Sequence, residues 1–274
     1  MFEGFDNNTG VDYFLVPNII HYIRWNKTTF DFVDIVCIRS AYLAQKPDKI
    51  YIHTNTPNFN GKYWRQLKTK WPDLYRRIEI TLNIPPTSIW GQNFSSEWHL
   101  YHASDVERVK ILMKYGGIFV DNDLYVVRNL DKFRHFEMTL SWMENDPSLG
   151  TMIYIANKQA RFLPLYIDTY REYNGSHWYW NAGTKPVSDI LLKRPELIHR
   201  VKELFGTETD IAYDLYTQYW PRWKIYYSIH LCIHHRIYMF EKEYKEFPVF
   251  NENTILHYNY TFGEMARLAY FGKS

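Results

Sequence analysis

Two carboxylates one residue apart, Asp121 and Asp123, stand where a short apolar run, Ile118-Phe119-Val120, gives out. In extended or turning backbone, residues i and i+2 can bring both carboxylates to one side, and their hard oxygens suit Mn2+ or Mg2+ rather than a soft-ligand metal. Such ions keep positions for water and substrate phosphates. Ligands of open α/β sheets sit outside the carboxyl ends of strands, which is where this pair falls if 118–120 is a strand. The other clustered groups are His230, His234 and His235. Without Cys partners or a His-Glu-x-x-His arrangement, they argue against a zinc site.

The elements around the pair follow from the same stretch. Ser104 with Glu107 three residues on reads as a capping box, and Val106, Val109, Ile111, Leu112 and Met113 give the following helix an apolar face. Gly116 stops that helix and Gly117 restarts the chain into the strand. An EF-hand is excluded, because its fifth, sixth and twelfth loop positions would be Tyr125, Val126 and Lys132. A haloacid-dehalogenase-type phosphatase also opens on a strand and Asp-x-Asp, but near its domain start and followed by Gly-Thr or Val-Thr. Here the motif lies deep in the chain and continues Leu124-Tyr125. The third reading is a divalent metal holding a nucleotide diphosphate.

The run Ser104-Asp105-x-x-Arg108, Leu112, Gly116-Gly117-Ile118-Phe119-Val120-Asp121-x-Asp123 and Leu130 resembles the DXD sugar-binding region of family 32 glycosyltransferases. That family includes α1,4-galactosyl- and α1,4-N-acetylglucosaminyltransferases and the initiating α1,6-mannosyltransferase; the glucosylating domain of large clostridial toxins is more distantly similar. The resemblance implies a GT-A nucleotide-sugar fold, a single Rossmann-like, mainly parallel sheet flanked by helices, over one domain spanning 1–274. It implies Mn2+ or Mg2+ on Asp121 and Asp123, a nucleotide-sugar donor (UDP-sugar before GDP-mannose), a glycan or lipid acceptor, and retention of anomeric configuration. Asp105, Arg108 and Asp121 would meet the donor sugar. His21, Ile23 and Trp25, in a segment similar to the family's first strand but with Arg24 at its usual tryptophan, would meet the nucleotide. His257, near the end of a segment similar to the family's late strand, would be a third metal ligand, and Asn181, Gly183 and Lys185 lie in a loop similar to the one lining the reaction side of the sugar.

Length and composition agree with a large α/β unit: 274 residues with no compositional break. Alternating strand and helix signals through Leu82 argue for a mainly parallel sheet with helices on both faces. Basic residues number 32 and acidic 30, so no nucleic-acid footprint is expected. No segment approaches the roughly 18 apolar residues of a membrane span, and Met1 to Gly10 is not a signal peptide. Asn7, Asn26, Asn93, Asn174 and Asn259 begin Asn-x-Ser/Thr sequences, which point to the secretory pathway, with a Golgi lumen expected from the resemblance. Cys37 and Cys232 admit either a disulfide or two buried thiols. Besides the transferase, two classes stay open: a sugar-nucleotide-binding pseudoenzyme and a metal-dependent phosphatase.

Overall fold

The computed structural model describes residues 2–207, 209–235, 239, 242, 245 and 247–272. Ile19–Ile23 (β1) is followed by Phe32–Gln45 (α1), whose start is fixed by a reciprocal cap. The Asp31 carboxylate accepts from the Asp34 backbone at 2.9 Å, and the Asp34 carboxylate from the Asp31 backbone at 2.8 Å. Arg24, the residue that replaces the expected tryptophan, closes this corner with two bonds of 2.8 and 2.7 Å to Asp34. In order come Lys49–Thr54 (β2), Gly61–Lys70 (α2), Ile78–Leu82 (β3), His99–Tyr115 (α3), Gly117–Val120 (β4) and Leu124–Val126 (β5). Met138–Ser141 (β6), Gly150–Ala156 (β7), Phe162–Thr169 (α4), His199–Val201 (β8), Thr209–Thr217 (α5), Ser228–His230 (β9) and Thr261–Phe271 (α6) are the main elements that follow.

Seven strands form one sheet in the order β8-β6-β7-β4-β1-β2-β3. β7 runs antiparallel to β6 and β4, and the other four pairings are parallel. This mixed, mainly parallel sheet flanked by helices is the GT-A architecture expected from the sequence. Side chains of β4 alternate across it: Ile118 and Val120 join a core with α1 and α6, while Phe119 joins one with α3 and α4. β5 leaves the sheet and pairs antiparallel with β9, setting Leu124 opposite His230.

The turn into β4 requires its glycines. Gly116 has φ 65° and Gly117 φ 115°, and a Cβ on Gly117 would lie 2.7 Å from the Ile19 carbonyl oxygen and 2.9 Å from His21 Nε2.

Several expectations change. Helix α3 begins at His99, so Ser104 is interior and caps nothing. The extra turn is held by burial of His102, whose ring bonds the Tyr173 hydroxyl at 2.6 Å and the Trp178 carbonyl at 2.9 Å. Residues 253–258 contain a 3-10 turn, Thr254–His257, rather than a strand. The Asn181–Lys185 segment is helical, with π-type turns at Trp180–Thr184 and Val187–Leu191. Cys37 and Cys232 are free and separately buried. Asn7 is buried, bonding the Glu137 carboxylate at 2.8 Å and the Glu196 carbonyl at 2.9 Å, so the folded protein does not present this acceptor sequence.

Candidate active site

Arg108 occupies the centre of the site. It lies on the buried face of α3, its guanidinium 4.8 Å from the Phe119 ring centre, 3.0 Å from the Asp105 carboxylate and 3.4 Å from that of Asp121. It also donates to the Thr151 carbonyl and, at 3.3 Å, to the Ser104 carbonyl. Asp105 is one helical turn before Arg108, the spacing that puts i and i+3 on one face. Burial pushes its carboxyl up to about 7, with Arg108 opposing the rise and Asp121 adding to it. Burial also raises Asp121, again against Arg108. Asp121 is the member of this chain that reaches solvent, at 27% exposure.

Asp123 is held differently. Its two carboxylate oxygens accept from His230 Nε2 at 3.2 Å and the Ile233 backbone at 3.1 Å, and its carbonyl accepts from Leu231 at 3.0 Å. Burial alone would raise this carboxyl, but His230 and its neighbours His234 and His235 hold it well below the usual carboxylate range. The same attraction, with that of Cys232, raises His230 well above its ordinary value against the effect of burial. Burial would raise the Cys232 thiol too, but His230 and a bond from His235 bring it down to about 7. Between the aspartates, Asn122 donates to the Ile23 carbonyl at 2.7 Å and ties this turn to the end of β1.

Two carboxylates with oxygen donors, one open to solvent, fit a hard divalent cation. His257 does not join them. It lies exposed on its 3-10 turn, and the histidine that meets Asp123 is His230. The signal for it was in the sequence: His230, Cys232 and His235 stand at i, i+2 and i+5, with a cysteine inside the cluster.

Of the nucleotide candidates, Ile23 reaches the aspartate turn through its carbonyl. His21 does not reach the site. It is fully buried, Nε2 donating to the Gly116 carbonyl at 2.8 Å, which leaves Nδ1 to accept from His53 Nε2 at 3.0 Å. Burial lowers His21 to about 4 and His53 to about 3, so the pair is neutral near pH 7. Trp25 is buried as well, its indole N–H shared between the Asn83 carbonyl and side-chain oxygens at 3.0 Å each.

The acceptor-side residues are spent on their own loop. Asn181 exchanges bonds of 2.8 and 2.6 Å with the Asn174 backbone, and Lys185 pairs with Glu172 at 2.7 Å and Asp189 at 2.6 Å. At Gly183, an added Cβ would lie 2.4 Å from the Tyr179 ring, so the glycine lets the tyrosine pack there. What this segment exposes is an open cleft of about 640 Å3 lined by Trp98, Asn174, His177, Trp178, Trp180 and Thr184, among others. Trp178 also faces His235, ring centres 6.0 Å apart, so the cleft borders the Asp123 cluster.

Residues 21–140 match the family described as a glycosyltransferase sugar-binding region containing the DXD motif. Glucan organizing enzyme 1 of Cryptococcus neoformans var. grubii is 28% identical over 193 residues, covering 63% of this chain and 49% of that protein. Lactosylceramide 4-alpha-galactosyltransferase of Rattus norvegicus is 28% identical over 163 residues, covering 57% and 42%. The matches thus span half or less of these relatives' length. Among solved structures, an active-site mutant of LgtC is 11% identical, with 78% of this chain and 87% of that one covered and a TM-score of 0.46. The PaToxG glycosyltransferase is 16% identical, with 66% and 70% covered and a TM-score of 0.41.

Proposed function

We propose, from the match of residues 21–140 to the glycosyltransferase sugar-binding region containing the DXD motif, that this chain is a single metal-dependent domain transferring a hexose with retention. The donor is a nucleotide-sugar, a UDP-sugar before GDP-mannose. The acceptor is a glycan, glycolipid or glycoprotein of the secretory pathway, in keeping with the four acceptor sequences other than that of the buried Asn7 and with the galactosyltransferase relative. The observation that carries this reading is the chain Asp105–Arg108–Asp121, buried at its helix end and open to solvent at the end of β4.

Asp121 and Asp123 would hold Mn2+ or Mg2+, and the ion would supply neutralisation of the charge that develops on a departing diphosphate. Arg108 fixes the rotamer of Asp121 and keeps Asp105 beside it without either carboxylate being left as an uncompensated buried charge. Asp105, buried behind Arg108, would act on the donor sugar through Arg108 and Asp121, holding them where they orient the anomeric carbon for a near-attack geometry. The bond from Asn122 to Ile23 keeps the nucleotide end of β1 in register with the aspartates. Across the site, the aromatic cleft around Trp178 offers faces on which an acceptor sugar can stack.

The test is thermal stability with UDP and with GDP, each with and without Mn2+, in the wild type and in Asp121→Asn/Asp123→Asn. At a hundred times the dissociation constant a ligand adds about 2.7 kcal/mol. The expected outcome is stabilisation by UDP only when Mn2+ is present, lost in the double variant. A nucleotide shift that ignores Mn2+, or no shift with either nucleotide, would overturn the metal-diphosphate reading.

A further inference from the structure

Beside the aspartates lies a second cluster of side chains that can ligate a metal. His230 ends β9, and Cys232 follows with φ 49°, the left-handed region that a residue with a side chain seldom enters. In this conformation its sulfur lies 3.5 Å from His230 Nδ1, and with the ring of His235 the three ligand atoms all lie within 4.8 Å of one another. A tetrahedral zinc ion with bonds of about 2.0–2.3 Å holds its ligand atoms roughly 3.5 Å apart, so small side-chain rotations close the set.

We propose that His230 Nδ1, Cys232 Sγ and a ring nitrogen of His235 form a Zn2+ site, distinct in chemistry from the Asp121/Asp123 pair, with Asp123 as the carboxylate that orients His230. The orientation is already in place. His230 turns Nε2 to Asp123 at 3.2 Å and Nδ1 to the sulfur, the arrangement in which a metal-bound imidazole gives its other N–H to a carboxylate. Two imidazoles and a thiolate select a borderline-soft ion, whereas the two aspartates offer only oxygen, so the cations Zn2+ and Mn2+ sort to different ligand sets. Three protein ligands leave a fourth position for water or an outside ligand. Cys232 is buried, while both histidines are partly exposed, which gives the ion a way in from the side of the aromatic cleft. The proposal does not rest on the transferase reading.

The experiment uses the full chain, stripped with a chelator under reducing conditions and titrated with Co2+ as a spectroscopic stand-in for Zn2+. One equivalent is expected to give a thiolate-to-cobalt charge-transfer band with the visible bands of four-coordinate cobalt. Zn2+ should abolish these bands at one equivalent, and Mn2+ should leave them. Cys232→Ser should remove the charge-transfer band and weaken Zn2+ binding at least tenfold, Cys37→Ala should keep both, and Asp123→Asn should keep the band while weakening Zn2+ by about 10–100-fold. Because Cys232→Ser could disturb the fold, Zn2+ protection of Cys232 from alkylation in the wild type, read by peptide mass, gives a second measure. Absence of the band in the wild type, its persistence in Cys232→Ser, its displacement by Mn2+, or alkylation of Cys232 at an unchanged rate with Zn2+ would each overturn the proposal.

Discussion

The two ends of strand β4 bury polar groups to opposite effect. At its start the Gly116 carbonyl takes a bond from His21, which takes one from His53, and the set is closed from water and neutral. At its finish Asp121 meets Arg108 and, through it, Asp105, and that set carries charge to the surface. Four residues separate a packing device from a candidate reaction centre. Buried polarity alone therefore does not mark a site; what distinguishes the second set is charge that its protein partners leave reaching solvent.

The strongest way to break this contrast is to remove the cation. Arg108→Met leaves Asp105 and Asp121 facing each other in a buried place, and a loss of about 3–5 kcal/mol is expected in the free energy of urea unfolding, together with loss of any nucleotide-dependent stabilisation. A variant as stable as the wild type would mean the two carboxylates do not depend on Arg108.

The ends should also titrate with opposite sign. His21 and His53 have folded values below the unfolded 6.5, so the unfolded state binds more protons and stability falls as pH drops from 6.5 toward 4. For His21 alone this amounts to about 3 kcal/mol over that interval. Asp105 has its folded value raised to about 7, so between 3.8 and 7 the folded state binds more protons and stability rises as pH drops. Urea midpoints measured from pH 4 to 7.5 should fall more steeply toward acid in Asp105→Asn than in the wild type, and less steeply in His53→Gln. Parallel curves for all three would remove the distinction.

Gly117→Ala tests the closed end sterically. The new Cβ meets the Ile19 oxygen and the His21 ring at a φ of 115°, and about 1–3 kcal/mol should be lost, with Mn2+ affinity of the surviving folded fraction unchanged. At the small end, Lys49→Gln breaks an ion pair with Glu79 in which both partners are half exposed, and no measurable shift is expected. A shift comparable to that of Arg108→Met would mean that burial is not what gives the site its ion pairs' weight.

The contrast also explains which parts of the molecule were legible in the sequence. The strand, the Gly-Gly turn and the aspartates are local and regular, and Asp105 with Arg108 shares a helix face that spacing alone defines. His21 sits on a strand whose alternation says that it points to one face, but not that His53 and Gly116 wait there to absorb both ring nitrogens. Ser104 carried the local pattern of a cap, yet the burial of His102 against Tyr173 and Trp178 extends the helix a turn beyond it. His257 and His230 each end a short apolar run, and only the pairing of β5 with β9 decides which one meets Asp123. Cys232 lies between His230 and His235 in sequence, and those histidines, not Cys37, are its nearer partners.

That pairing spans 107 residues between Asp123 and His230. All seven strands of the main sheet end by Val201, before His230 is reached. At about 5–20 residues per second, a ribosome makes Asp123 roughly 5–20 s before the histidine that holds it. The sheet can therefore form around an aspartate whose side chain is still unrestrained, and the last part of the centre to be set during synthesis is the grip on Asp123.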